Sequence, residues 1–311
     1  MNWLGWPVSV RVPATSANLG PGFDSLGLAL RLHDTVRAEV TSAGLVIGVS
    51  GVGRQTAGLG ERHLVVRAMR TAFAELGTQP PGISLTCENV IPQGFGIGSS
   101  AGAIVAGLLA AGALAGAGGH GSLPDEAVLR LAARLDGHAD NVAACLAGGL
   151  TVAWAAQGGF RAAALVPLPG LVPVLCLPAV PLATSAARRV LPATIPHADA
   201  AQNAARAALL VAALTQDAAP LLDATEDFLH QPFRAAVLPE SIRLMAALRE
   251  ACVPAVISGA GPAVLALTVQ GSTPAADTVT AIAAATGQEW TVRVMEVDRD
   301  GAVVTPGSPG G

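Results

Sequence analysis

The chain has 311 residues, a formal charge of -4, 51% apolar residues and only 13% charged ones; that fits one large or two ordinary globular domains and excludes a small stapled scaffold or a disordered chain. The acidic balance also argues against a nucleic-acid binder that neutralises phosphates over a broad surface. All 18 basic residues are arginine, so there is no lysine for a Schiff base, a pyridoxal-phosphate anchor or a Walker A motif.

Val8, Val10 and Val12 alternate within Pro7 to Pro13 and predict a first strand. The loop Pro13 to Asp24 follows, its prolines and glycines fixing an unusual backbone from which Asn18 and Asp24 are presented; it is expected to lead into an apolar helix. Strand patterns recur at Thr35 to Val40, Leu45 to Val49 and Gly82 to Cys87, and a helix is predicted over Glu61 to Leu76. Helices then dominate from Ser99 to Ala147, interrupted at Gly116 to Gly121, before a strand at Gly149 to Ala155. Ala101 to Gly119 is uncharged and long enough for a bilayer, but its Ala and Gly content inserts weakly, so a buried helix is expected. The second half reads as strand Val172 to Leu177, helices over Ser185 to Leu222 and Glu240 to Cys252, and strands near Val256 and at Val264 to Val269. Helix Pro274 to Ala285 and strand Trp290 to Val297 complete it. The order predicts an α+β protein of two lobes, 1–165 and 166–304, with a disordered tail over 305–311. Cys87, Cys145, Cys176 and Cys252 form no C-x-x-C pair, and no secretory signal pattern opens the chain; a cytoplasmic setting with reduced thiols is expected, not a zinc site.

The densest glycine loop is Pro92, Gln93, Gly94, Phe95, Gly96, Ile97, Gly98, Ser99 and Ser100, running into Ala101 and the longest apolar helix. Glycines let backbone amides approach an anion, and a helix start adds free N–H groups and the positive end of a dipole. The same loop also reads as a glycine-rich turn with a serine cap. A dinucleotide site is disfavoured, because Gly116 to Gly121 stands where the acidic residue would be required. Asp136, Gly137, His138, Ala139, Asp140 and Asn141 pack four polar side chains between apolar helices, with Asp140 also readable as the cap of a helix Asn141 to Leu146. Ser258 to Pro262 is a second loop able to lie against a ligand, and Arg188 and Arg234 stand in polar-poor surroundings. Arginine's planar fork suits a carboxylate, although most arginines are merely solvated.

The strings ATSANLGPGFDSLGLAL, Pro92 to Ser100, GHADNVAACLAGGLT, HQPFR and SGAGP, in this order, resemble the motifs of the GHMP small-molecule kinases from about residue 8 to residue 297. Within that family they are most similar to the branch that phosphorylates the side-chain hydroxyl of L-homoserine on the route to threonine. The resemblance implies an amino-terminal domain with a left-handed βαβ crossover and a carboxy-terminal ferredoxin-like domain. It implies ATP and Mg2+ as companions and a homodimer as the assembly. By the same resemblance the loop Pro92 to Ala101 holds ATP, and Ser99 and Asp136 lie at the magnesium end. Asn18, Asp24, His138, Asn141, Arg188, Arg234 and Gly261 hold the acceptor, and Asn141, Asp140, Ser99 and Arg188 serve the transfer. Asp24 suits an ammonium and the arginines a carboxylate. The chain departs from the family at Phe95, Ile97, Asp136 and Ala139, where arginine, leucine, glutamate and proline are frequent. An amide at Asn141 cannot take a proton, which leaves Asp140, a phosphate oxygen or water. Two other readings are a mevalonate-type kinase of the same family and an inactive nucleotide-binding regulator.

Overall fold

The computed structural model describes Trp3, residues 7–271 and residues 273–307. The first predicted strand is β1 (Val8–Ala17), which buries Val8, Val10 and Val12 on one face. It pairs antiparallel with β2 (Leu26–Thr41), with a register shift at Pro13/Ala14, where proline cannot donate to the ladder. The apolar helix expected after the loop is instead the start of β2. Leu26, Leu28 and Leu30 are buried, as are Gly27 and Ala29 between them, and a strand buried on both faces reads as a continuous apolar run that periodicity cannot tell from a helix.

The strand β3 (Gly44–Gly51), the helix α1 (Leu64–Glu75) and the strand β4 (Gly82–Asn89) form a βαβ unit, and β3–β4 is a parallel pair in a sheet whose other described pairs are antiparallel. α1 buries Val65, Val66, Ala68, Met69, Ala72 and Phe73 at helical spacing; residues 54–62, including the first two of its predicted span, form a 3-10 stretch instead. The helix α2 (Ser99–Ala117) is apolar all round and mostly buried, packed against α1, β1 and the helix α3 (Asp125–Asp136). The helix α4 (Asp140–Ala147) contains Asp140 as its first residue, with Ala139 at the cap position, so the expectation of Asp140 as cap is corrected. β5 (Leu150–Ala156) pairs with the first residues of β2 and with β6 (Gly159–Leu165). β6 was not anticipated, because Arg-Ala-Ala-Ala-Leu carries no β-branched residue.

The second sheet has the order β10-β7-β9-β8 and is antiparallel: β7 (Leu171–Pro178), β8 (Ala255–Ile257), β9 (Val264–Val269) and β10 (Trp290–Val294). Four helices connect β7 to β8, α5 (Thr184–Arg189), α6 (His197–Thr215), α7 (Leu221–Ala224) and α8 (Pro239–Glu250), and α9 (Ala276–Ala285) connects β9 to β10. The chain then returns to the first lobe. Arg31 N–H donates to the Glu296 carbonyl, Val297 bridges Leu30, and β11 (Val303–Pro306) pairs with β1 at the edge of the first sheet. The expected disorder from 305 does not hold for Thr305 and Pro306, which are ordered by backbone pairing with Ser9 and Val8, a partnership that composition does not reveal. Residues 308–311 of that expectation lie outside the described residues.

Gly107 sets how closely α1 and α2 approach. A Cβ there would lie 2.5 Å from the Val65 carbonyl oxygen and 2.7 Å from Ala68 Cβ. Gly107→Ala gains helix propensity of about 1 kcal/mol, but the clash is with backbone, so a net loss of about 1–3 kcal/mol is expected. A urea-unfolding midpoint at or above that of the parent protein would show that the helices are not in tight contact there.

Candidate active site

The predicted loops converge on a cavity of about 380 Å³ between the lobes. Gly94, Gly96 and Gly98 have φ of 80, 75 and 75 degrees, a left-handed run that a side chain would strain. Two of them also touch what a Cβ would displace: Gly96 abuts the Ser258 carbonyl and Gly98 the Thr15 hydroxyl. The loop is clamped by backbone bonds from Thr15 N–H to the Ile97 carbonyl (3.1 Å), Leu182 N–H to Gly94 (2.8 Å) and Ala263 N–H to Phe95 (3.2 Å). Gly98, not a serine, is the cap of α2, and no side chain caps the helix; the first-turn amides therefore remain available to an anion. Pro92, Gln93, Gly94, Gly96, Ile97, Gly98, Ser99 and Ser100 line the cavity, whereas Phe95 packs into an apolar cluster and Ala101 is buried within α2.

Beyond the loop lies a polar cluster. Ser100 Oγ donates to Asp136 Oδ1 at 2.9 Å, and His138 Nδ1 is 3.5 Å from Asp136 Oδ2. The bond to Asp136 raises the His138 pKa, outweighing burial and the nearby Arg188 charge. Asp140 is buried yet lines the cavity; desolvation pushes its pKa up to about 6, against the Asn141 N–H that it accepts at 2.7 Å. Asn141 Oδ1 accepts from the Thr15 hydroxyl at 2.7 Å, so Asn141 presents its amide hydrogens and cannot serve as a base. Asp136 with the Ser99 and Ser100 hydroxyls is a set of hard oxygen donors beside the glycine loop, a set that fits Mg2+.

At the other end, Arg188 makes a two-pronged ion pair with Asp24, with contacts of 2.5 and 3.3 Å. Arg234 is 1% exposed and donates to the Gly259 carbonyl at 2.7 Å, while its Nε has no partner. Burial lowers its pKa to about 10, with help from the Arg188 charge, so it stays protonated at neutral pH. Asn18 Nδ2 donates to the same carbonyl at 2.8 Å and Asn18 Oδ1 accepts from Asp24 N–H. Gly261 does not line the cavity; its carbonyl supports Gly96, with 2.7 Å to the Cβ position there. It therefore backs the glycine loop and stands apart from the Asp24–Arg188 end.

Residues that the sequence does not single out also line the cavity, among them Asp34, Thr56, His63 and Asn89. They come from β2, the 3-10 stretch and β4, and only the fold unites them. Asp34 accepts N–H bonds from Val90 and Ile91 at 2.6 and 2.8 Å while desolvation raises its pKa; His63 is buried, with its pKa lowered by desolvation and Nδ1 unpartnered. Thr15, Phe23 and His230 lie inside motifs already singled out, but nothing in the strings marks their contacts.

Residues 63–149 match the family described as GHMP kinases N terminal domain. The chain is 51% identical over 299 residues to the homoserine kinase of Streptomyces coelicolor, covering 96% of this chain and 94% of that relative. It is 45% identical over 304 residues to the homoserine kinase of Clavibacter michiganensis, again over 96% of this chain and 94% of the relative. The crystal structure of homoserine kinase from Cytophaga hutchinsonii superposes with a TM-score of 0.82 at 26% identity, over 96% of this chain and 97% of that one. A mevalonate kinase crystal structure superposes at 0.66 with 12% identity, over 94% of this chain and 99% of that one, which shows the shared fold alone.

Three substitutions test this geometry. Gly96→Ala drives a Cβ into the Ser258 carbonyl, so a loss of about 1–3 kcal/mol is expected; Ser99→Ala should leave the unfolding temperature unchanged. Asp140→Asn keeps an oxygen acceptor and removes the charge. Burial raises the folded-state pKa of Asp140 from 3.8 to about 6. The charged carboxylate therefore costs stability that grows between about pH 4 and pH 6, is full above that range, and vanishes by about pH 3, where the group is protonated in both the folded and unfolded states. The variant should be more stable than the parent at pH 8, by on the order of 3 kcal/mol at most, and equal to it at about pH 3. Thermal unfolding at the two pH values measures the difference, and an equal shift at both would rule out the buried charge as its source.

Proposed function

The chain belongs to the homoserine kinases of the GHMP kinase family, and from that premise we propose how its residues divide the work of moving a phosphoryl group from ATP to the L-homoserine hydroxyl. It is an ATP-dependent phosphotransferase of threonine biosynthesis. The observation that carries the proposal is the lining of one cavity: the uncapped helix start and glycine loop, Asp136, Asp140, Asn141, Arg188 and Arg234, with Asp24 held beside it by Arg188.

The amides of Gly94 to Ser100 and the positive end of α2 hold the ATP phosphates. Asp136, with Ser99 and Ser100, would hold Mg2+, which when bound supplies charge neutralisation at the phosphoryl oxygens. Asp24 takes the homoserine ammonium, Arg188 and Arg234 its carboxylate, and Asn18 fixes Asp24. Asn141 donates toward the hydroxyl end, held in place by Thr15 on one side and Asp140 on the other; His138 steadies Asp136. Phosphoryl transfer is dominated by positioning and charge stabilisation, and a loose transition state needs little help from a base. We therefore assign Asp140 to positioning, with the hydroxyl proton following the transferred group.

The finer features of the fold belong to the same proposal. The parallel β3–β4 pair around α1 gives the first lobe a βαβ crossover, whose left hand we take from the family resemblance, and a ferredoxin-like second lobe is supported by the strand order β10-β7-β9-β8 with helices after β7 and β9. We take 1–165 with the returning β11 as the ATP lobe. Buried free thiols at Cys87, Cys145 and Cys176 favour a cytoplasmic setting, and the family resemblance is the ground for a homodimer.

A coupled assay of ADP release should show turnover with L-homoserine and none above background with mevalonate, which lacks the ammonium; the reverse order would replace the acceptor. Asp140→Asn should lose less than about a hundredfold in kcat, because a true general base is worth about 10²–10⁴. A larger loss, accompanied by disappearance of an acid limb near pH 6 in the rate profile, would make Asp140 the base.

A further inference from the structure

Around Phe23 the acceptor end gathers Arg188, Arg234 and Asp24, with the buried Asp227 acting on Arg234 from behind, and Asp24 is already engaged. Asp24 has a φ of 54 degrees, and its N–H is held by Asn18, which is itself anchored on Gly259, so its carboxylate is placed by backbone. Arg188 reaches it from the six-residue helix α5 on a long, half-exposed side chain, spending both terminal nitrogens on Asp24. The Phe23 ring lies 5.5 Å from the Arg188 guanidinium carbon and 5.9 Å from that of Arg234. Arg234 has no carboxylate within ion-pair distance among the described residues.

We propose that the Asp24–Arg188 ion pair is a latch that only a zwitterion opens without stranding a charge, so that the pair itself selects α-amino acids against their half-molecules. The inference rests on homoserine as acceptor and goes beyond it. A carboxylate without an ammonium can gain Arg188 only by detaching it from Asp24, which then sits unpaired beside a second anion. An ammonium without a carboxylate can gain Asp24 only by leaving Arg188 without its counter-ion, beside the second guanidinium of Arg234. Uncompensated charge in a partly desolvated site is costly. A molecule with both groups on one carbon exchanges one internal pair for two external ones, with Arg234 already in place to share its carboxylate. The mobile partner in the exchange is Arg188, since Asp24 is fixed by its backbone.

The latch makes a reciprocal prediction, read by titration calorimetry on the full-length enzyme with a non-hydrolysable ATP analogue present. Three ligands are compared: L-homoserine, 4-hydroxybutanoate, which lacks the ammonium, and 3-aminopropan-1-ol, which lacks the carboxylate. In Asp24→Asn, where asparagine tolerates the left-handed backbone, Arg188 is released. 4-Hydroxybutanoate should then bind roughly two- to fivefold more tightly than to the parent enzyme, the range an exposed ion pair supports, while homoserine binds more weakly. In Arg188→Gln the amino alcohol should gain by a similar factor. Removing Asp24 also changes the general field, so the double variant decides: released by the latch, 4-hydroxybutanoate gains nothing from Asp24→Asn when Arg188 is already glutamine. A gain of the same size in that background, or no gain in either single variant, overturns the latch. Failure of the parent enzyme to bind homoserine overturns the acceptor reading and the latch with it.

Discussion

Gly259 stands at a φ of 55 degrees, and its peptide groups tie together the segments that build the site. Its N–H donates to the Ala17 carbonyl, while its own carbonyl accepts from Asn18 Nδ2 and from Arg234. A side chain there would press on the Gly96 carbonyl at 2.8 Å, so the loop 258–262 and the loop 92–100 meet backbone to backbone. Ser258 Oγ, 2.8 Å from both Ser16 Oγ and the Gly96 carbonyl, closes the same seam. Few kilocalories separate a folded protein from an unfolded one, so a cavity built from two lobes keeps its geometry only where such contacts have no slack. One consequence is that phosphate-end and acceptor-end residues are not mechanically independent: Arg234 and the glycine loop share Gly259 as a support.

The lobes are also joined covalently at both ends of the second sheet. The chain leaves the first lobe after β6 and returns through Glu296, Val297 and β11, bonding to β2 and β1 on the way. Asp298, 3% exposed, accepts N–H bonds from Asp300 and Gly301 and pairs with His33 at 2.6 Å. This return anchors the sheet of the second lobe to the long strand β2, whose first residues carry the loop bearing Asn18 and Asp24. The acceptor loop is thus held from both lobes, consistent with its left-handed residues Asn18, Leu19 and Asp24 being kept in conformations that L-residues rarely adopt.

How much of this was legible in the sequence depended on whether the signal was local. The glycine loop, the Asp136–Asn141 string and α1 could be read because turn chemistry and helical periodicity act over a few residues. β2 reads as a helix at Leu26 to Leu30 because a doubly buried strand has lost its alternation, and β11 goes unread because it is held in place by backbone pairing with β1, which composition does not show. The site residues were named from strings, yet their pairings were invisible: that Arg188 holds Asp24, that Arg234 rests on Gly259 and that Gly261 faces the glycine loop are facts of separation by more than a hundred residues or of backbone direction. His63 and Asp34 had no sequence signal at all, since one is the residue before an ordinary helix and the other lies in the middle of a long strand.

The absence of lysine acquires a meaning once the burial of Arg234 is known. A cation that is 1% exposed, with one of its nitrogens unpartnered, carries a desolvation penalty that its single bond to Gly259 does not offset. Arginine survives this as a charge: its pKa falls to about 10 and the guanidinium remains protonated at neutral pH. Lysine starts about two units lower and, as a compact, strongly hydrated ammonium, loses more on burial, so the same site would bring it close to neutrality. The fork offers a second advantage, since one nitrogen can stay on Gly259 while another turns to a ligand carboxylate. The pocket therefore combines a buried charge that persists without a partner with the Arg188 charge that is masked until a partner arrives, and the difference in burial between the two arginines assigns them these roles.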